Sequence, residues 1–472
     1  MTNYFKVLTV LMLSLGFSNL NAAVTLPNLF SDNMVLQQSD TVPFWGTDKP
    51  GQTIRVQTSW GAMAATEADE KGQWHLNIKT PEAGGPHKIF ISGSSEDTLD
   101  NVLTGEVWFA SGQSNMHMPL KGYGNSPVNH AMETIVNSRN PMIRFFNTKR
   151  SPTLIPLDTV AGSWKISSPS TSPDFSAVAY HFADQLQSHL NIPVGIITSS
   201  WGGSKIQAWL DSSSIKKFND LEIPSQLGSS SYDKRSTPTS LYNGMVHPYV
   251  GFPVAGFLWY QGESDREVKN YEALFTELIS SWRNDWKDPS LPFYFVQIAP
   301  FDYQKHNRIE GGDPAGLREA QLQTFLSTAG TGMVVTTDIG DCDDIHPAEK
   351  ETVGKRLAYW ALAETYDWDI PHQGPLFSGA KPGPKPEEVV LSFDHADMGF
   401  NRQEEITGFH VAGPDGAFLP AHARVGNGKK IIIWNDKIQN PKYISYGFED
   451  CPYATLENTF GFPASPFRAT VK

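Results

Sequence analysis

Val107-Trp108-Phe109-Ala110-Ser111-Gly112-Gln113-Ser114-Asn115-Met116 is the stretch from which the rest of the chain is read. Its first four residues are apolar and rich in β-branched and aromatic types, the pattern of a short buried strand. Gly112 punctuates it, and Ser114-Asn115-Met116 enter a helix. A serine between strand and helix projects its hydroxyl from the sheet edge. Its own N–H lies where backbone donors converge on a developing anion. Ser114 is therefore a candidate nucleophile.

Working outward, residues 24–104 read as an all-β module. Thr53-Ile54-Arg55-Val56-Gln57 and His87-Lys88-Ile89-Phe90-Ile91 are strand-like, and Asp48-Lys49-Pro50-Gly51 and Ala83-Gly84-Gly85-Pro86 are turns. From 105 to 365 the pattern changes. Short apolar runs at 107–110, 142–146, 194–198, 256–260, 293–298 and 333–337 alternate with amphipathic stretches. Val178, Phe182, Leu186 and Leu190 form one helical stripe, and 271–282 and 317–325 are similar. Such alternation implies a mostly parallel sheet covered on both faces, with functional residues at the carboxyl ends of its strands. Residues 211–240, rich in Ser, Lys, Asp and Pro, read as a surface excursion bordering the cleft. Runs at 388–393, 406–411 and 430–434 make 366–472 a second β module.

The 472 residues are 39% hydrophobic and 18% charged, which is a globular composition. A formal net charge of −13 argues against nucleic-acid partners and against adhesion to anionic membranes. Lys6, the apolar run 7–17 and the small residues up to Ala22-Ala23 describe a signal peptide over 1–23, so export to the periplasm or beyond is expected. Cys342 and Cys451 are the two cysteines. In an oxidising compartment a bridge between them and two free thiols are both open.

Three further segments follow strands. Ser199-Ser200-Trp201-Gly202-Gly203-Ser204 has glycines that let a backbone N–H approach a ligand. Trp259-Tyr260-Gln261-Gly262-Glu263-Ser264-Asp265 offers the Gln261 amide. Asp343-Asp344-Ile345-His346-Pro347 offers an imidazole base with carboxylates that can fix its tautomer. Singly, each is more often a turn or a core residue. Together they supply a nucleophile, a base, an acid and oxyanion donors.

These blocks resemble those of the SGNH (GDSL-like) hydrolases: GQSNM at 112–116, GGSKI at 202–206, WYQGES at 259–264 and DDIHP at 343–347. They are most similar to the sialate O-acetylesterase branch, which is akin to carbohydrate acetylesterases acting on plant polysaccharides. Flanking segments agree, from Leu29–Gln37 through 241–245 and 317–321 to 463–468, so the resemblance spans essentially the whole chain beyond residue 23. It implies an α/β fold: a three-layer α/β/α core with a mostly parallel sheet at 105–365, flanked by the all-β modules at 24–104 and 366–472, with no cofactor and no metal. It implies Ser114 as nucleophile and His346 as base. The oxyanion donors are the N–H groups of Ser114 and Gly203 (Gly202 less so) and the side chain of Gln261. Asp343, three before the histidine, is the favoured orienting acid, with Asp344 as the alternative. The implied substrate is an acetylated carbohydrate, such as a 9-O-acetyl sialic acid or an acetylated xylan.

Trp201 is the aromatic residue best placed to stack on a sugar, whereas Trp259 reads as core. Arg318 is a candidate for a substrate carboxylate, against an ordinary salt bridge. A noncatalytic carbohydrate-binding protein would lack the serine or the histidine, and both are present. The acidic cluster Asp338, Asp341, Asp343, Asp344 with His346 fits neither a calcium loop nor a zinc signature. The G-x-S-x-G elbow of a lipase is absent.

Overall fold

The computed structural model describes residues 23–228, 232–267, 269–306, 312–401 and 405–472. The signal-peptide reading falls almost entirely on residues outside these. The central sheet is built on Glu96–Gly112, a 17-residue strand. Its spatial order is Thr331–Val334, Phe293–Val296, Gly256–Tyr260, Glu96–Gly112, Val194–Ser200, Asn140–Asn147 and Trp164–Ser167. Every neighbouring pair is parallel except the last. The chain winds to one side of Glu96–Gly112, then crosses to the other. That strand is therefore a topological switch point, where a crevice opens beyond the carboxyl ends.

Alternation along each strand sorts the core. Trp108, Ala110, Leu258, Tyr260, Tyr294 and Val296 pack with Val178, Phe182 and Leu186 of the helix Ala177–Leu190, and with Val353, Leu357 and Ala361 of Lys350–Glu364. Phe109, Phe257, Trp259, Phe293 and Phe295 point the other way. They pack with Leu274, Phe275, Leu278 and Trp282 of Tyr271–Asp285 and with Leu317 and Leu322 of Pro314–Ser327. Helices thus cover both faces, as continuous apolar strands require. Ser176 caps the first helix by accepting from the Ala179 N–H, and Asn191 ends it in the left-handed conformation.

The expected boundary at 104/105 falls inside a single strand. Glu96–Gly112 begins paired with Gly84–Ser92 and Val35–Gln37 of the N-terminal module, then continues into the central sheet. A separate two-stranded antiparallel sheet of the module pairs Thr41–Thr47 with Gln73–Lys79. The C-terminal module is two four-stranded antiparallel sheets. The run read at 406–411 forms a strand over Phe409–Ala412. Cys342 and Cys451 are disulfide-bonded, with Cα atoms 5.7 Å apart and a sequence separation of 109. Closing a loop of that length takes about 4–5 kcal/mol of conformational freedom from the unfolded chain.

Gly112 pairs with Ser200 on one side and Tyr260 on the other. It sits at φ +135°, and a Cβ there would stand 2.2 Å from the Tyr260 carbonyl oxygen. Gly112→Ala is expected to cost roughly 3 kcal/mol or more, through clash and backbone strain together. A fall in the urea midpoint without a change in m-value checks it.

Candidate active site

Because Gly112, Ser200 and Tyr260 form one row across three strands, the segments that follow them leave the sheet at one level. Their backbones are then stitched together. The Gln113 N–H donates to the Tyr260 carbonyl at 2.9 Å and the Trp201 N–H to the Gly112 carbonyl at 3.0 Å. Ser114 opens a one-turn helix, Ser114–His117, and is half-buried. Gly202 lies against it: a Cβ on Gly202 would stand 3.2 Å from the Ser114 Cβ. Gly203 adopts φ +74°, which favours glycine. Among the described residues the N–H groups of Gly202 and Gly203 have no recorded acceptor.

The His346 segment returns from the far edge of the sheet and is held by a side chain. Asn115 is fully buried; its amide nitrogen donates to the Ile345 carbonyl at 3.0 Å and to Glu263 Oε1 at 2.5 Å. Its amide oxygen accepts from Lys350 Nζ at 2.6 Å. Lys350 is buried, and burial lowers its pKa to about 7 against the opposing pull of Glu263 and Asp344. Burial likewise raises Glu263 above the ordinary carboxylate value. Polar groups this deep must be paired, so the network commits the serine, glutamate and histidine segments to one arrangement.

Tyr123 adds a second tie. Its ring packs edge-on against the His346 imidazole, with centroids 5.2 Å apart, while its hydroxyl donates to the Ser114 carbonyl at 3.1 Å. His117 Nδ1 lies 3.0 Å from that hydroxyl, and Arg150 Nη2 donates to His117 Nε2 at 3.3 Å. Burial, helped by Arg150, lowers the His117 pKa to about 4, so its ring is neutral above that pH. The proton order is then fixed: Arg150 to Nε2, Nδ1–H to Tyr123, and Tyr123 to the Ser114 carbonyl.

Several expected site residues are elsewhere. The Asp343 carboxylate is exposed and held by Lys305 and His306, so it turns away from the imidazole. Those partners also depress its pKa. Asp344 faces His346 instead: Oδ1 is 3.7 Å from Nδ1 and accepts the His346 N–H at 2.9 Å. Gln261 is fully buried, and its amide hydrogens go to the Ser204 carbonyl and to Asp265. Asp265 also accepts the Ile206 N–H, so this pair braces the glycine segment from beneath rather than facing a ligand. Arg318 is fully buried and donates to the Glu449 and Asp450 carbonyls, which excludes it as a surface carboxylate receptor. Trp201 is half-buried at the rim, and Trp259 is core. Asn115 and Glu263 lie within recognisable blocks, and Lys350 follows His346 by four residues. Nothing in the local sequence marked Tyr123, His117 or Arg150.

Residues 104–363, more than half of the chain, match the family described as carbohydrate esterase, sialic acid-specific acetylesterase. The chain belongs to that family. Curated relatives are the sialate O-acetylesterases of Homo sapiens, 29% identical over 73% of this chain and 72% of that protein, and of Mus musculus, 27% identical over 80% and 79%. Among solved structures, a carbohydrate acetylesterase from Xanthomonas citri superposes with a TM-score of 0.85. It is 34% identical and covers 95% of this chain and 99% of that one. This family member is a carboxylic ester hydrolase.

In this esterase, Asn115→Ala would leave the Ile345 carbonyl, Glu263 and Lys350 without their shared partner. The expected loss is about 3–5 kcal/mol of stability, read by chemical denaturation. The disulfide begins four residues before His346. Its removal by Cys342→Ser with Cys451→Ser is expected to lower kcat several-fold in a protein whose far-UV circular dichroism is unchanged.

Proposed function

We propose that the enzyme removes O-acetyl groups from a glycan through an acetyl-Ser114 intermediate. Ser114 Oγ attacks the acetyl carbonyl carbon as His346 takes its proton. The oxyanion is met by the N–H groups of Ser114 and Gly203. The ester C–O bond breaks, and the sugar oxygen leaves with the proton from His346. Water, deprotonated by His346, then attacks the acetyl-enzyme, and acetate leaves as Ser114 recovers its proton. Asp344 is the orienting acid in this reading and Asp343 a surface ion pair. The observation that carries it is the double tie between the serine and histidine segments, through the Asn115 amide and Tyr123. The bracing of Gln261 favours an oxyanion hole built from backbone donors. Losing one such donor typically costs about 3 kcal/mol of barrier.

The family description and the mammalian relatives favour an O-acetylated sialic acid as substrate. Similarity to the Xanthomonas citri carbohydrate acetylesterase favours, as a second reading, an acetylated carbohydrate other than a sialic acid, of which an acetylated xylan is the case tested. Export fits the N-terminal pattern and the Cys342–Cys451 bridge.

Acetate release from both substrate classes tests the reading. Ser114→Ala is expected to abolish release and labelling by a fluorophosphonate probe. Asp344→Asn should lower kcat by about 10²–10⁴-fold, and Asp343→Asn by less than about threefold, by analogy with the acid of serine triads. The opposite ranking of the two aspartates would reassign the acid.

A further inference from the structure

We infer that Arg150 is a specificity residue whose guanidinium receives a carboxylate of the substrate, so that the preferred substrates are O-acetylated acidic sugars. The inference rests on Ser114 being the nucleophile.

Arg150 lies three residues beyond the strand Asn140–Asn147 and is exposed. Two neighbours place it at the mouth of the site. Its guanidinium carbon stands 5.3 Å from the ring centroid of Trp201, the residue before Gly202, which in turn abuts Ser114. Its Nη2 donates to His117, at the end of the helical turn that Ser114 begins. The group is thus bracketed by the nucleophile segment and the glycine segment.

The charge is unanswered. Among the described residues no carboxylate is recorded against Arg150, although acidic residues outnumber basic ones by 50 to 37. Two other cations near these segments are paired: Arg235, beside Gly203, with Asp233 at 2.7 Å, and Lys121 with Asp174. A guanidinium has five N–H donors and no acceptor, and His117 engages only one nitrogen. The remaining fork matches a carboxylate in geometry and charge. Stacking on Trp201 and the bond to a neutral His117 hold the side chain in place beforehand, which lowers the entropy lost when an anion binds. A neutral sugar would use the stacking surface but leave the charge unmatched.

Sialic acids and uronic acids share this chemistry, and the experiment separates them. Acetate release is measured on an O-acetylated sialoside and on an acetylated, uronic-acid-bearing xylo-oligosaccharide, each beside its carboxyl methyl ester. The wild type is expected to favour one free acid over its ester by about 10- to 100-fold in kcat/KM, the range of a charge-assisted hydrogen bond. The acid that shows the preference names the source. Arg150→Gln should collapse that ratio towards one, and Arg150→Lys should leave an intermediate value. The comparison is a ratio within each variant, so a general loss of activity does not imitate the result. Equal use of acid and ester by the wild type, or a ratio that survives Arg150→Gln, overturns the assignment. If p-nitrophenyl acetate is not hydrolysed by the wild type, or is hydrolysed equally by Ser114→Ala, the nucleophile reading fails and this inference with it. Hydrolysis that depends on Ser114 with a ratio of one removes the Arg150 assignment alone.

Discussion

A carboxamide with no access to water must find all its partners inside the protein, and Asn115 finds three of them on two distant segments. The Ile345 carbonyl, Glu263 and Lys350 lie 148 to 235 positions away along the chain. Each partner is itself a group whose isolation in the interior would cost several kcal/mol. The arrangement is therefore close to all-or-none. Either the segments after the Glu96–Gly112, Gly256–Tyr260 and Thr331–Val334 strands come together, or a charge is stranded. The residue next to Ser114 thereby makes the folding of the core and the assembly of the site one event.

The sheet prepares this meeting. The row Ser200–Gly112–Tyr260 releases three segments at the same height, and only glycine at 112 lets the backbones lie so close. Beneath the row, Gln261 and Asp265 hold Ser204 and Ile206, fixing the approach of Gly202 and Gly203 to the serine. The β modules work from outside. Arg318 clamps the backbone at Glu449 and Asp450, and the neighbouring Cys451 is bonded to Cys342 on the His346 segment. The C-terminal module is thus a strut on the side where the candidate base is carried by a long irregular loop.

Much of this was legible before any coordinates. The alternation of apolar runs with helical stripes specified a parallel sheet with helices on both faces, because that pattern can be buried in few other ways. Gly256–Tyr260 and Lys430–Trp434 begin and end where their β-rich composition does. The helix Lys350–Glu364 was not legible. Its mixed, polar-rich face carries little periodic signal, and its burial comes from packing against Ala177–Leu190. The boundary read at residue 104 lies within one strand that serves two sheets, because composition changes along Glu96–Gly112 without a break.

Local sequence determined which chemical groups are present and which strand ends carry them: a serine after one strand, paired glycines after another, a histidine flanked by carboxylates after the last. Only the tertiary structure decided which of those groups face the site and which brace it. Asp343 and Asp344 are adjacent and chemically identical, yet Lys305 and His306 draw the first outward while the second faces the imidazole. Gln261 and Arg318 carry polar groups suited to a ligand, yet both are spent on backbone and side-chain partners in the interior. The physical reason is that a side chain's role depends on where its hydrogen bonds are satisfied, and those partners are supplied by segments that no local reading brings together.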